Sequence, residues 1–338
     1  MPLSGPSGEE GKKLAELIKW GLEDNLKGFV STTTYDVSTE EFTKQAAEKL
    51  LAKRTQIILG PLFTPSVKAL EKLARNNGII MLTLSNNPML GDESHIYVFG
   101  HAPLKQTNRM LGYLFENGHK DFALLLPSNK GSINLKKVYD ESIAAKAGNV
   151  ISSQNYSPDH ESIAEAVSKI STAVDEAIES VDAESKPVII IAEENPELLR
   201  EIYRAIKLKN LDNKALVVGD GRIDVGFSKP INYLFTGASR ELDAKLQERC
   251  QTILGISHLS MLQNLAYDLG AVTSTAIGLS YSKETFLNRL KSPVWYNGLS
   301  GEVRFNGPLA ERKYSIIEHA GNSYRVKDSA VKPPVATK

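Results

Sequence analysis

The 338-residue chain has a single cysteine, Cys250, so no disulfide can form within it. A chain of this length has enough interior to stabilise itself by burial, and one cysteine says little about compartment. It has no net charge, with 40 Lys+Arg against 40 Asp+Glu. Without a basic excess it lacks the electrostatic footprint of a nucleic-acid binder, although a small anion can still be held locally. No apolar run approaches the roughly 20 residues of a bilayer span. The six histidines, at positions 95, 101, 119, 160, 258 and 319, form no HExxH pattern and stand near no cysteine, so no metal site is expected. No Gly-x-Ser-x-Gly elbow occurs. Gly5 to Lys13 has the glycines and lysines of a phosphate loop. However, Pro6 stands where the first glycine is required, Lys13 stands where the hydroxyl is required, and Glu9 and Glu10 would repel phosphate. Gly219-Asp220-Gly221 begins a dinucleotide fingerprint without its third glycine. No cofactor, metal or turnover is therefore expected. Met1-Pro2-Leu3 leads directly into a turn, with no signal-peptide pattern.

What the chain does contain is a repeated helix and strand rhythm. Leu14, Leu17, Ile18 and Leu22 recur at helical spacing, and 28–35, rich in Val, Thr and aromatics, reads as a strand. A helix carrying Phe42, Ala46, Leu50 and Leu51 follows, then a buried strand at Ile57-Ile58-Leu59. A helix over 65–76, closed by Asn77-Gly78, precedes a strand at Ile79 to Leu82. A second run of the same kind starts after His101-Ala102-Pro103. It has strands at 122–126, 150–156, 188–192 and 215–218, with helices at 104–117, 134–147, 162–181 and 197–208 between them. Such alternation predicts parallel sheets with helices on both faces. The fold class expected is α/β, with two doubly wound, mostly parallel lobes, because the chain is too long for one ordinary core.

The last third departs from the rhythm. A long helix covers 257–279 and a short one 283–290. Then Gly298-Leu299-Ser300-Gly301 feeds a short alternating strand, Asn306-Gly307-Pro308 makes a turn, and a further strand is expected through Glu311 to Glu318. Cys250 sits on an amphipathic stretch and is expected to be a small buried hydrophobe. The tail 327–338 has no periodicity and is expected to fray.

In open α/β sheets, ligands bind beyond the C-terminal ends of strands, where helix N-termini point free N–H groups outward. In the first lobe that rule selects Ser4 and Gly5, Phe63 and Thr64, and Ser85 and Asn86. In the second it selects the loops Ser128 to Ser132, Glu193 to Pro196 and Asp220 to Arg222, and within them Asn129, Gly131, Glu194, Asn195 and Asp220. These residues are the candidate ligand contacts. Thr64 and Ser85 can equally serve as helix caps.

The wording of several turns carries a resemblance. Gly298 to Phe305, followed by Arg312 to Glu318, is similar to the closing hairpin of the type I periplasmic binding proteins, the Leu/Ile/Val-binding superfamily. Leu3-Ser4-Gly5-Pro6-Ser7-Gly8 resembles that superfamily's first strand-to-helix turn, and Gly60 to Met81 resembles its "G-x-x-x-S" loop, helix and "G-h-h-h" strand, with Thr64 at the ligand-contacting hydroxyl. The resemblance implies two lobes joined by a three-strand hinge, with crossings near 100–105, 237–239 and 291–295. Lobe 1 would then be 1–102 plus 239–291, and lobe 2 would be 103–237 plus 292–326. It also implies a periplasmic location, a small polar ligand between the lobes, and a first strand lying mostly upstream of Leu3 or cut short.

The second lobe departs from the amino-acid binders of that superfamily. Lys105 stands where they place an acidic hinge residue, Gly131 or Ser132 where they place an aromatic, and Gly219-Asp220-Gly221 where they place a glutamate after a turn. Asp220 could hold an ammonium if the register shifts by one; otherwise that half of an amino-acid clamp is missing, and a buried unpaired ammonium binds poorly. Pro2-Leu3-Ser4-Gly5, Gly60-Pro61-Leu62 and Gly298 to Gly321 are closer in wording to the lipoprotein activators of penicillin-binding proteins. The function this resemblance implies is non-catalytic regulation of cell-wall synthesis with a penicillin-binding protein as partner. The alternative is the solute-binding component of an ABC importer, partnered by its permease, for branched-chain amino acids or related small polar ligands.

Overall fold

The computed structural model describes residues 1–26, 30–92, 94–100, 103–180, 185–193, 195–219, 232–237, 242–257, 259–279, 281–320 and 323–329. In chain order the first elements are α1 (Gly8–Leu26), α2 (Glu40–Ala52), β1 (Ile57–Leu59), α3 (Thr64–Asn76), β2 (Ile80–Thr83) and β3 (Ile96–Val98). Next come α4 (Pro103–Glu116), β4 (Asp121–Pro127), α5 (Lys130–Ala144), β5 (Asn149–Tyr156), α6 (His160–Glu179), β6 (Val188–Ile191), α7 (Pro196–Leu208), α8 (Leu211–Lys214), β7 (Leu216–Gly219) and β8 (Asn232–Gly237). The chain ends with α9 (Ala244–Leu254), α10 (Met261–Ile277), α11 (Lys283–Leu290), β9 (Tyr296–Gly298), β10 (Gly301–Asn306), β11 (Leu309–Lys313), β12 (Ser315–Ala320) and β13 (Ser323–Asp328).

Two compact units result. Unit 1 is Met1–Ala102 with Arg240–Lys313, and unit 2 is Pro103–Ser239 with Tyr314–Lys338. The sheet of unit 1 has the order β1-β2-β3-β11-β10-β9, and that of unit 2 the order β13-β12-β8-β7-β6-β4-β5. The strands joined by helical crossovers pair in parallel, and the terminal hairpins add antiparallel strands.

Unit 1 is held by α1 lying on α10. Leu14, Leu17 and Trp20 on one helix and Leu265, Ala266 and Leu269 on the other are buried together. Gly21 and Gly270 let the two backbones touch: a Cβ on either would come within 2.1 Å of a carbonyl oxygen of the facing helix. α10 starts in a capping box, with Ser260 and Gln263 satisfying each other's backbone N–H. Cys250 packs into the same core with its thiol pKa pushed up by burial. In unit 2 the parallel strands carry apolar layers on both faces: Ala123, Leu125 and Ile189 look one way, Phe122, Leu124 and Ile190 the other.

Three expectations need correction. The segment 292–313 belongs to unit 1, not to the second lobe, because β11 pairs with β3 and Val98 N donates to Pro308 O at 2.8 Å. The single strand expected through 311–318 is two strands, β11 in one sheet and β12 in the other, separated at Tyr314. Arg312 fixes that break. Its buried guanidinium donates to Phe99 O at 2.6 Å, Gly100 O at 3.0 Å and Ser300 Oγ at 3.2 Å, which ties the end of β11 to unit 1. Arg109 in α4 donates to Tyr314 O at 3.0 Å and fixes the next residue to unit 2. Finally, Val30 to Tyr35, expected as a strand, lies outside every sheet of the described residues.

Candidate functional site

In unit 1 the loops after β1 and β2 meet. Thr64, the first residue of α3, and Ser85, just past β2, have their hydroxyls 3.0 Å apart. Ser85 is buried; its N–H donates to Thr83 Oγ1 at 3.0 Å, and its Oγ accepts from Asn87 N at 3.3 Å. Thr83 in turn donates to Pro61 O at 2.7 Å, which joins the two loops at their base. Phe63 precedes α3 in extended conformation, is exposed, and provides no side-chain cap, so the first amides of α3 lack the usual acceptor. Asn86 is exposed at the same rim.

A second cluster lies at the start of the chain. Ser4 Oγ donates to Asp36 Oδ2 at 2.7 Å and stands 2.7 Å from Ser38 Oγ. Leu3 N and Ser38 N both donate to Asp36 Oδ1 at 2.9 Å. Partial burial raises the pKa of Asp36, but the bonds from the Ser4 hydroxyl and the Leu3 and Ser38 amides outweigh it and bring the carboxyl down to about 2. This group is a fixed anion at neutral pH. Gly5 makes the turn that leads into α1, its carbonyl accepting from Gly8 N at 3.0 Å. Ser66 Oγ donates to Val37 O at 3.1 Å and links this cluster to α3.

In unit 2 the candidate residues serve as helix starts. Asn129 Oδ1 accepts from Ser132 N and Ser132 Oγ, both at 3.1 Å, and Gly131 lies in the first turn of α5. Asn195 caps α7, accepting from Glu197 N at 2.9 Å and Leu198 N at 3.4 Å. Glu194 and Asp220 lie outside the described residues. The loop carboxylate that is held in place is Glu193. It accepts from the buried Tyr156 hydroxyl and, at 2.8 Å, from Asn195 N. Burial and this neighbouring carboxylate both raise the phenol's pKa, so Tyr156 stays a donor.

Thr64 and Ser85, both expected at strand ends, come together, and Glu193 stands in a loop the strand-end rule selected, whereas Asp36 and Ser38 were not expected. Asp36 had a usable signal: it directly follows the segment expected to be a strand, where the strand-end rule applies. Among the described residues no group of three His, Cys, Asp or Glu is placed to hold a metal ion. No described helix is long and apolar enough to cross a membrane.

Two α/β units, each with hydroxyl- and amide-bearing loops at the C-terminal ends of parallel strands, define the type I periplasmic binding protein fold. Comparison with solved structures agrees. A putative branched-chain amino acid ABC transporter protein from Rhodospirillum rubrum superposes with a TM-score of 0.73 at 12% identity, covering 96% of this chain and 97% of that one. An ABC transporter solute-binding protein from R. palustris in complex with 4-hydroxybenzoate gives 0.64 at 16% identity, covering 97% and 95%. LpoA from Haemophilus influenzae gives 0.68 at 14% identity; it is matched over 97% of this chain, which spans just over half, 57%, of LpoA. The family model described as periplasmic binding protein matches residues 1–181. The chain is also 38% identical over 324 residues to the uncharacterized protein RP748 of Rickettsia prowazekii (strain Madrid E), covering 96% of this chain and 86% of that protein. The chain belongs to the periplasmic binding protein family.

Proposed function

We propose that this is a non-catalytic periplasmic protein that regulates cell-wall synthesis by engaging a penicillin-binding protein, and that it does not carry amino acids. One observation carries the reading: among the described residues, most polar side chains at the strand ends are occupied within their own loops. Thr64 bonds Ser85, Asp36 is held by Ser4, Leu3 and Ser38, Glu193 is held by Tyr156 and Asn195, and Asn129 and Asn195 cap helices. An amino acid must gain a paired ammonium and carboxylate, and here it would first have to break these bonds, each worth about 1 kcal/mol or more. The turns Pro2 to Gly5, Gly60 to Leu62 and Gly298 to Gly321, similar in wording to the penicillin-binding protein activators, support the same reading. LpoA of Haemophilus influenzae shares the fold.

A second reading is favoured by a different observation. The N-terminus of α3 has no side-chain cap, so its first amides face a carboxylate that would sit beside the Thr64–Ser85 pair. The solute-binding protein that holds 4-hydroxybenzoate is matched over 95% of its length, whereas LpoA is matched over 57%. On that reading the protein delivers a small carboxylate to an ABC permease, with Phe63, Thr64, Ser85 and Asn86 of unit 1 beside the ligand.

The immobilised protein, incubated with solubilised membranes whose penicillin-binding proteins carry a fluorescent penicillin, separates the two. Retention of a labelled synthase supports the regulator. Absence of retention, together with saturable binding of a small carboxylate, overturns it in favour of the importer component.

A further inference from the structure

Unit 1 has a second polar opening at the other end of its parallel strands. The loops after β1 and β2 carry the candidate site, whereas residues just before the two strands line a cavity of about 500 Å³. Thr55 and Gln56 lead into β1, Asn77 and Gly78 lead toward β2, and Ser282 and Lys283 begin α11. The described lining contains two cations, Arg54 and Lys283, and no Asp or Glu. Both α2 and α3 end at this cavity, and a helix C-terminus repels an anion through its free carbonyls. Here those carbonyls are in use. Leu50 O accepts from Thr55 N at 3.1 Å, Leu51 O from Arg54 N at 3.0 Å, Leu73 O from Asn77 N at 3.2 Å and Ala74 O from Ile79 N at 2.9 Å. The charged side chains therefore set the sign of the cavity.

Arg54 holds a backbone conformation that glycine suits better. It follows α2 with φ of 50°, in the left-handed region where a helix end usually places glycine. The bonds of this turn come from the backbone N–H groups of Arg54 and Thr55, so a glycine would make them equally well. Arginine adds a guanidinium, and that group has no hydrogen-bond or ion-pair partner among the described residues. Stability does not call for an arginine in this strained position, whereas a ligand would. Arg75, at the end of α3, contrasts with it: Glu71 and Asp92 hold its guanidinium at 2.9 and 2.8 Å. Lys283 is held in place over Gly78. Its Nζ donates to His95 Nε2 at 3.4 Å, and a Cβ on Gly78 would stand 3.6 Å from it. Burial, and then the Lys283 charge, lower the His95 pKa, so the imidazole is neutral at pH 7 and accepts this bond. The Gln56 amide and the Tyr281 hydroxyl also line the cavity and make no hydrogen bond among the described residues.

We propose that this cavity binds an organic phosphate monoester. The dianion balances Arg54 and Lys283 together, where a monocarboxylate would leave one cation unmatched. The planar guanidinium presents paired N–H groups to two phosphate oxygens, and the Lys283 ammonium acts as a point charge beside them. Leu50, Leu51 and Ile79 give the cavity an apolar wall for the esterified group. The site lies at the opposite strand ends from Thr64 and Ser85, so it stands independently of the choice between regulator and importer.

The test titrates phenyl phosphate, inorganic phosphate and benzoate separately into the isotope-labelled protein at constant ionic strength, which holds charge screening fixed. Phenyl phosphate is expected to move the amide signals of Thr55, Gln56 and Gly78 and to bind more tightly than either other probe. Arg54→Gly removes the guanidinium and suits the backbone, so Tm should stay near that of the parent protein while affinity for phenyl phosphate falls about tenfold or more. Lys283→Gln should weaken binding in the same sense. Unchanged affinity in both variants overturns the proposal. So does an absence of shifts at millimolar phenyl phosphate, or shifts confined to Thr64 and Ser85. Benzoate or inorganic phosphate binding as tightly as phenyl phosphate overturns the assignment to a phosphate monoester.

Discussion

Two parallel strands of nearly the same composition meet different fates in this protein. Val188-Ile189-Ile190-Ile191 in β6 lies between β4 and β7 and is buried at every position, whereas Ile57-Ile58-Leu59 in β1 is half-buried throughout. The difference does not come from the residues, which are β-branched or apolar in both. It comes from neighbours: β6 has a strand on each side and helices over both faces, and β1 has a strand on one side and a cavity on the other. An apolar run predicts a buried strand only where the sheet supplies both partners.

The largest expected effect tests that contrast directly. Ile190→Ala removes a fully packed side chain and should cost about 3–4 kcal/mol, while Ile58→Ala should cost about 1 kcal/mol because its surroundings are partly open. Denaturant titrations of the two variants check the ratio, and equal losses would break the comparison. Next in size is the inner part of the same sheet. Arg312→Met leaves Ser300 Oγ and the Phe99 and Gly100 carbonyls without their donor and removes the positive charge near the buried Asp268, for an expected loss of about 3 kcal/mol. Asp268 is already pushed toward protonation by burial, offset by bonds from Ser300 and Leu299. Thermal unfolding of the variant measures the loss.

A third, smaller effect sharpens the view of the open edge. Burial lowers the Met1 amino pKa from 8.0 to about 6, with the charge of Asp36 opposing the shift. Between those values the unfolded chain holds the extra proton, so stability should rise as pH increases from 6 to 8. The total is at most about 2–3 kcal/mol. Acetylation of the amino group should abolish this slope, as stability measured across the pH range will show.

Much of the fold was legible because helix–strand alternation is a local property. The helices α2, α6 and α7 follow from their apolar spacing, and the caps at Thr39, Asp159 and Asn195 set where they begin. What was not legible depends on partners distant in sequence. The run 311–318 reads as one strand, and only the bonds of Arg312 to Phe99 and Gly100, and of Arg109 to Tyr314, divide it between two sheets. Val30 to Tyr35 reads as a strand, but pairing needs a neighbour that composition does not reveal. At the candidate site the strand-end rule found Thr64 and Ser85, because hydroxyls after parallel strands converge. It selected the loop that starts at Glu193, whose bond from Tyr156 depends on a partner 37 residues away in sequence.

The proposed function rests on the commitment of the described strand-end side chains to one another, with no amino-acid clamp among them. A thermal-shift plate of the twenty amino acids with 4-hydroxybenzoate and benzoate tests it, because a ligand that binds only the folded state stabilises it by mass action. The account predicts no shift with any amino acid. A clear stabilisation by leucine, isoleucine or valine that disappears in both Thr64→Ala and Ser85→Ala would contradict it.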